Sequence, residues 1–156
     1  MRRRRAERRE PQPDPKYNSR LIAKFINHLM NKGKKSVAEK LVYKALEILE
    51  QKTQDPNGLK IFNKAIENVR PRLELKPRRM GGATYQIPVE VPASRANSLA
   101  MRWIRDLAQK KKGRAMEIKL AEELLAAYKG EGAAIKKRDD THKMADANKA
   151  FAHLRW

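Results

Sequence analysis

A short extended segment carrying a double glycine interrupts a chain whose apolar residues otherwise recur at helical spacing, and that interruption constrains the fold more than any other feature. Leu73-Glu74-Leu75-Lys76 runs into Pro77-Arg78-Arg79-Met80-Gly81-Gly82, after which Tyr85, Ile87, Val89 and Val91 alternate with other residues. Period-two alternation on both sides of a glycine pair predicts a β-hairpin at about 72–91. Pro77 and Pro88 cannot donate to a ladder and belong at edges, so the hairpin is expected as an isolated two-stranded arm and not as part of a larger sheet. Such a ribbon is marginal alone in water and needs a body to rest on. Its tip places Arg78 and Arg79 beside Gly81 and Gly82, which let backbone approach a partner closely. The glycine pair lacks the strand-to-helix context of a phosphate loop and serves as a turn.

The body is read from helical periodicity. Asn18 or Ser19 can cap a helix whose apolar stripe is Leu21, Ile22, Phe25, Ile26, Leu29 and Met30, ending by Gly33. Val37, Ala38, Leu41, Val42, Ala45, Leu46 and Leu49 form a second stripe. Asp55-Pro56 reads as cap and first helical residue of a third helix, with Leu59, Phe62, Ile66 and Val69 inward and Pro71 as its stop. After Pro92 the spacing resumes with Ala96, Leu99, Ala100, Trp103 and Leu107, and residues 115–129 give another helix through Met116, Leu120, Ala121, Leu124, Leu125 and Tyr128, closed by Gly130. A last helix at about 133–152 has only Ile135, Ala145 and Phe151 as anchors, so loose packing or projection toward a partner is expected there. The expected fold is mainly α: one six-helix domain over 19–156 with a protruding two-stranded hairpin, preceded by a basic extended tail over 1–18.

Charge narrows the partner. Lys and Arg number 37 against 18 Asp and Glu, a formal net charge of +19, and self-repulsion of that size is relieved by a polyanion. No apolar run approaches the roughly 18 residues of a membrane span, and the cations form separate clusters rather than one face of an amphipathic helix. Nucleic acid therefore leads, and no membrane is expected. The clusters are the tail residues Arg2, Arg3, Arg4, Arg5, Arg8 and Arg9; the turn holding Lys34 and Lys35; Lys76, Arg78 and Arg79 of the hairpin; and Lys110, Lys111 and Arg114 around Gly113. Arg95, Arg102 and Arg105, spaced by seven and three, share one helix face. Cations before the second helix oppose its dipole, which an external anion explains better than helix stability does; a solvated loop is the alternative. The tail has almost no apolar side chain and is expected to be a solvated segment that orders on nucleic acid.

Little in the chain suggests catalysis. Without cysteine there are no disulfides, zinc-thiolate sites or thiol nucleophiles. The arginine run after Met1 lacks the apolar stretch of a secretory signal, so a cytosolic location is the default. Asp139, His142 and Asp146 share a helix face but lack the further ligands a metal would want. His28 reads as a core-edge histidine, and His153 has no acid or nucleophile beside it. No Walker loop, GxGxxG or nucleophile motif is present. No cofactor, metal or enzymatic activity is expected. Tyr85 and Trp156 could stack on bases, whereas Trp103 stands at core spacing. The aromatic fingerprint of a four-stranded RNA-binding sheet is missing, so recognition would rest on shape and phosphate. Two rivals from other classes remain at this point. A histone-like DNA architectural protein would also join a helical body to basic arms, though such arms come from dimers and no homo-oligomer is indicated. An RNA-modifying enzyme would need a nucleophile or base that cannot be assigned.

Gly33-Lys34-Lys35 with Phe25-Ile26 before and Leu41-Val42 after, Ala65 to Pro71, Arg78 to Val91, Leu99-Ala100-Met101-Arg102-Trp103 and the closing Ala152 to Trp156 resemble, in the same order, the seventh family of small-subunit ribosomal proteins of bacterial type. The likeness covers nearly the whole chain. It implies a six-helix domain with a protruding hairpin, and a primary binder of small-subunit ribosomal RNA that nucleates the 3′ major domain, the head. It further implies a place at the subunit interface near exit-site transfer RNA, among neighbouring small-subunit proteins, in cytoplasmic or organellar ribosomes. Carried onto this sequence, the RNA contacts implied are the Arg2 to Arg9 tail, Lys34, Lys35, Lys76, Arg78, Arg79, Arg95, Arg102 and Arg105, with Arg79 to Tyr85 nearest transfer RNA.

Overall fold

The computed structural model describes residues 10–53 and 55–154. Six helices enclose the core: α1 (Arg20–Leu29), α2 (Lys35–Thr53), α3 (Gly58–Val69), α4 (Ala93–Lys110), α5 (Met116–Lys129) and α6 (Ala133–Ala147). Between α3 and α4 the chain makes an antiparallel pair, β1 (Leu73–Met80) and β2 (Ala83–Glu90), and a 3₁₀ helix (Lys149–Leu154) follows α6. The stripes read from periodicity meet in one cluster. Ile22, Phe25 and Ile26 of α1, Val42, Leu46 and Leu49 of α2, Phe62, Ile66 and Val69 of α3, and Leu120 and Leu124 of α5 are all at most 1% exposed. The rings of Phe25 and Phe62 lie 5.1 Å apart, tilted at 54°. Each such large side chain contributes roughly 1.5–3 kcal/mol by leaving water. α5 packs against α2, α3 and α4, which makes it the centre of the body.

Helix ends show where local chemistry acted. Ser19, in extended conformation, caps α1 by accepting from the Ile22 N–H at 3.4 Å. Gly130 closes α5 with a φ of 81°, as its C′ role requires. α3 begins later than Asp55-Pro56 suggested. Asn57 is the cap, its side chain accepting from Lys60 N at 3.0 Å, while Asp55 accepts from Asn57 N at 3.0 Å and turns the chain ahead of the helix. The last helix is shorter than the expected 133–152: Asn148 donates from its side chain to the Met144 carbonyl at 2.8 Å and α6 stops at Ala147. Val37 at 58% and Tyr128 at 37% exposure lie at helix ends, outside the core that periodicity assigned them to.

Two buried carboxylates hold joints that have no hydrophobic stripe. Glu123, on α5 and 1% exposed, accepts from the Ala134 N–H at 3.0 Å and from Lys111 Nζ at 2.8 Å. It thus supplies from another helix the cap that Gly132 cannot give α6. Asp14, 3% exposed, accepts from the Lys16 and Tyr17 amides at 3.1 and 3.0 Å and from the Tyr43 hydroxyl at 2.7 Å. Tyr17 packs on Tyr43 at 6.0 Å between centroids, and Lys16 pairs with Glu47 at 2.8 Å. Asp14 to Asn18, expected within the tail, belong to the body, held by a polar turn and an aromatic pair rather than by aliphatic anchors.

Candidate nucleic-acid interface

The arm is paired in one unbroken register, Leu73 with Glu90 through Arg78 with Tyr85 to Met80 with Ala83. Its two-residue turn is Gly81-Gly82, with φ of 56° and 86°. Positive φ at both central positions is what a type I′ turn demands, and glycine meets it without a steric penalty. Glu74, Lys76, Arg78, Tyr85 and Ile87 fall on one face by this register; Leu75, Pro77, Arg79, Thr84 and Pro88 fall on the other. Arg78 and Arg79 therefore leave the tip in opposite directions.

Burial divides the arm along its length. Near the base Ile87 and Glu74 are 1% and 8% exposed and Pro88 is buried, while Pro77 to Arg79 and Gly81 to Thr84 are exposed. The base is fixed by α6, where His142 Nε2 accepts from the Arg72 N–H at 2.9 Å and Arg138 donates to the Asn68 carbonyl. His142, considered above beside Asp139 and Asp146, thus holds the root of the arm, and Asp139 is paired with Arg138 at 2.6 Å. Partway up, Tyr85 packs against Phe151 of the 3₁₀ helix at 5.3 Å and 53°. Tyr85 is half-buried, where the sequence suggested an exposed stacking ring. The cause is a C-terminal segment that folds back onto β2, which no local pattern announces.

The cations selected from the sequence fall into two groups. Several hold the fold together. Arg95 Nε donates to both Glu74 oxygens at 2.8 Å, tying α4 to β1, with Lys76 Nζ 3.6 Å from the same carboxylate. Arg105 Nη1 donates to the His28 carbonyl at 2.9 Å and its Nη2 meets Asp106 at 2.6 Å, tying α4 to the end of α1. Lys111 serves Glu123, Arg114 pairs with Glu122, and Lys35 stands 3.6 Å from Glu39. The second group, Lys34, Arg79, Arg102 and Lys110, is exposed and makes no ion pair among the described residues; Arg78 is exposed as well. The α4 face expected to present Arg95, Arg102 and Arg105 alike is therefore graded, with Arg102 outermost in role. Arg2, Arg3, Arg4, Arg5, Arg8, Arg9 and Trp156 lie outside the described residues. Two residues of α1 join this face: Lys24, which no sequence pattern singles out, and His28, read from the sequence as a core-edge histidine. His28 is half-buried, and its pKa is pushed below the usual histidine value by burial first and then by Arg102, Arg105 and Lys24.

No helix among the described residues is long and apolar enough to cross a membrane, and no group of three or more His, Asp or Glu side chains among them could hold a metal. What the surface offers is a stiff-based ribbon with a cationic tip, beside a helical body with further exposed cations. The model of the family Ribosomal protein S7p/S5e matches residues 1–149. Small ribosomal subunit protein uS7 of Fervidobacterium nodosum is 59% identical over 156 residues, covering 100% of both chains. The protein of that name from Kosmotoga olearia is 60% identical with the same coverage, and that of Francisella tularensis subsp. holarctica is 56% identical over 99% of each chain. A full-length match at this identity, on a fold with the same hairpin the resembling motifs implied, places this chain in the ribosomal protein S7p/S5e family.

Proposed function

We propose that this chain is a primary ribosomal-RNA-binding protein that nucleates folding of the 3′ major domain, the head of the small subunit, with its arm at the subunit interface near exit-site transfer RNA. Its family membership makes it a structural, non-enzymatic constituent of the small ribosomal subunit, in the ribosomes of the cytoplasm. The finer reading rests on one observation: the arm is rigid where it joins the body and exposed and cationic where it ends, a form that serves a partner and contributes little to the core. Exposed Lys34, Arg102 and Lys110 supply further phosphate contacts from the body. Neighbouring small-subunit proteins complete the set of partners.

Phosphate contacts position a protein and make its binding salt-dependent. If about eight cationic side chains neutralise phosphates, log K falls with log salt at a slope of roughly −6 to −7. The test is reconstitution of small subunits with the chain shortened across its arm tip, residues 77–84 replaced by a short turn. Entry into particles with an altered transfer RNA footprint is the expected result. A normal transfer RNA footprint beside a normal ribosomal RNA footprint would remove the arm's role, and a salt slope near −1 would remove the phosphate-dominated mode of binding.

A further inference from the structure

A recess of about 460 Å³ opens between α1 and the start of α4, lined by Glu10, Pro11, Lys24, Asn27, His28 and Ser98. Its volume falls within the roughly 300–1,000 Å³ of small-ligand sites. Its chemistry differs from that of the arm tip. Cations stand around it, with Arg102 and Arg105 close enough to act on the His28 ring, and its wall carries the Lys24 ammonium and the Glu10 carboxylate beside an imidazole, an amide, a hydroxyl and a proline. Glu10 is already paired with Arg20 at 2.6 Å, which offsets its charge. Ser98 donates to the Ser94 carbonyl at 3.1 Å, leaving its hydroxyl oxygen able to accept. Neither ring nitrogen of His28 nor the Asn27 amide has a hydrogen-bond partner among the described residues, although His28 is half-buried. Burial and the three cations disfavour the imidazolium, and in the neutral ring one nitrogen donates while the other accepts.

A site for phosphate alone would be lined throughout by guanidinium, ammonium or backbone N–H groups, whereas Lys24 is the single cation in this lining. Neutral groups that both donate and accept, beside a flat ring and a proline, suit the edge and face of a nucleobase, while Lys24 on the wall and Arg102 near His28 suit its flanking phosphates. We infer that the recess between α1 and α4 receives one unpaired RNA nucleotide, its base read by Asn27 and His28 and its phosphates held by Lys24 and Arg102. The inference rests on the RNA-binding reading above and deepens it, adding a base-reading element to an interface otherwise built on charge.

The test uses the full chain and a transcript of the 3′ major domain, with base-directed chemical probing alongside binding titrations at several salt concentrations. Asn27 is exposed and His28 half-buried, so Asn27→Ala and the double variant Asn27→Ala/His28→Ala should leave the thermal melt close to that of the parent; Asn27→Ala alone keeps the test valid should the double variant melt early. The double variant should bind roughly tenfold more weakly with an unchanged salt slope, and a single nucleotide should regain reactivity at its base. Lys24→Ala should instead lower the slope by about one. Unchanged affinity and footprint in both Asn27 variants would overturn the inference, as would a weaker affinity in which every protected nucleotide stays protected. Failure of the parent chain to protect any nucleotide would overturn the RNA-binding reading itself and this inference with it.

Discussion

The helical body and the arm are held by opposite means. In the body, Leu46, Phe62, Ile66 and Leu120 have no exposed surface, and their removal from water is the main stabilising term. The arm has two buried apolar residues, Ile87 and Pro88, and is otherwise fastened by polar handles, one of them on the buried Glu74, and one ring contact: Arg72 with His142, Arg95 with Glu74, Tyr85 with Phe151. Changes in the body should therefore act globally and changes in the arm locally. A defect in a dense apolar cluster is felt by every helix that shares it, whereas a lost handle frees one element whose remaining surface is already solvated.

The largest expected effect tests the body. Leu46→Asp places a carboxylate in the fully buried face of α2, which packs against α1, α3 and α5, and should cost more than about 4 kcal/mol and leave no cooperative melt by circular dichroism. Leu41, which periodicity put in the same stripe, is only half-buried, and its aspartate should be milder. Replacing residues 77–84 with a short turn should by contrast shift the melt by less than about 0.5 kcal/mol equivalent, because all of that segment except the half-buried Met80 is exposed. A large loss of melting temperature in the shortened arm would break the comparison between the two regions.

Next in size is the joint between α5 and α6. Glu123→Ala strips the Ala134 N–H of its acceptor and leaves Lys111 without its carboxylate. Because Lys111 is partly exposed and can rehydrate, the expected cost is about 2–3 kcal/mol, below that of a fully buried broken pair. Amide exchange should show α6 opening before α2 and α3. Uniform acceleration across all helices would mean that α6 folds as one unit with the body. Phe151→Ala should cost less, about 1 kcal/mol, and act on β2 alone, seen as faster exchange from Tyr85 to Ile87 with the body unchanged.

The same contrast explains what could be read from the sequence. The stripes of α1, α3 and α5 were legible because a helix packed on one side repeats its apolar residues at fixed spacing, and the hairpin was legible because alternation, prolines and paired glycines leave few other conformations. Val37 was misplaced because spacing gives a face but not how far along it a neighbouring helix reaches. The arm's supports were illegible. His142 lies seventy residues from Arg72, and Arg138 the same distance from Asn68, so no local signal links them. Asp14 and Tyr17 were assigned to a tail because a polar turn clamped by Tyr43 has no apolar signature. At the candidate interface the sequence identifies cations but not which of them have a carboxylate in reach, which is why Arg95 and Arg105 were grouped with Arg102.

That grouping leads to the smallest effect and the finest test of the comparison. Arg102 and Arg105 stand three residues apart on α4, yet one is exposed and the other bridges the His28 carbonyl and Asp106. Arg105→Ala removes the one contact from this side chain that joins α4 to α1, together with its pairing to the adjacent Asp106, and should destabilise the body by about 1–2 kcal/mol, with weaker RNA binding following only from the loosened α1–α4 junction. Arg102→Ala should leave the melt within about 0.5 kcal/mol of the parent, lower the salt slope of RNA binding by about one, and weaken affinity uniformly across RNA sequences. Measuring melt and slope on both variants separates the two roles that one charge pattern conceals. If Arg102→Ala lowered the melt while Arg105→Ala lowered only the slope, the assignment of α4 cations to fold and to partner would have to be exchanged.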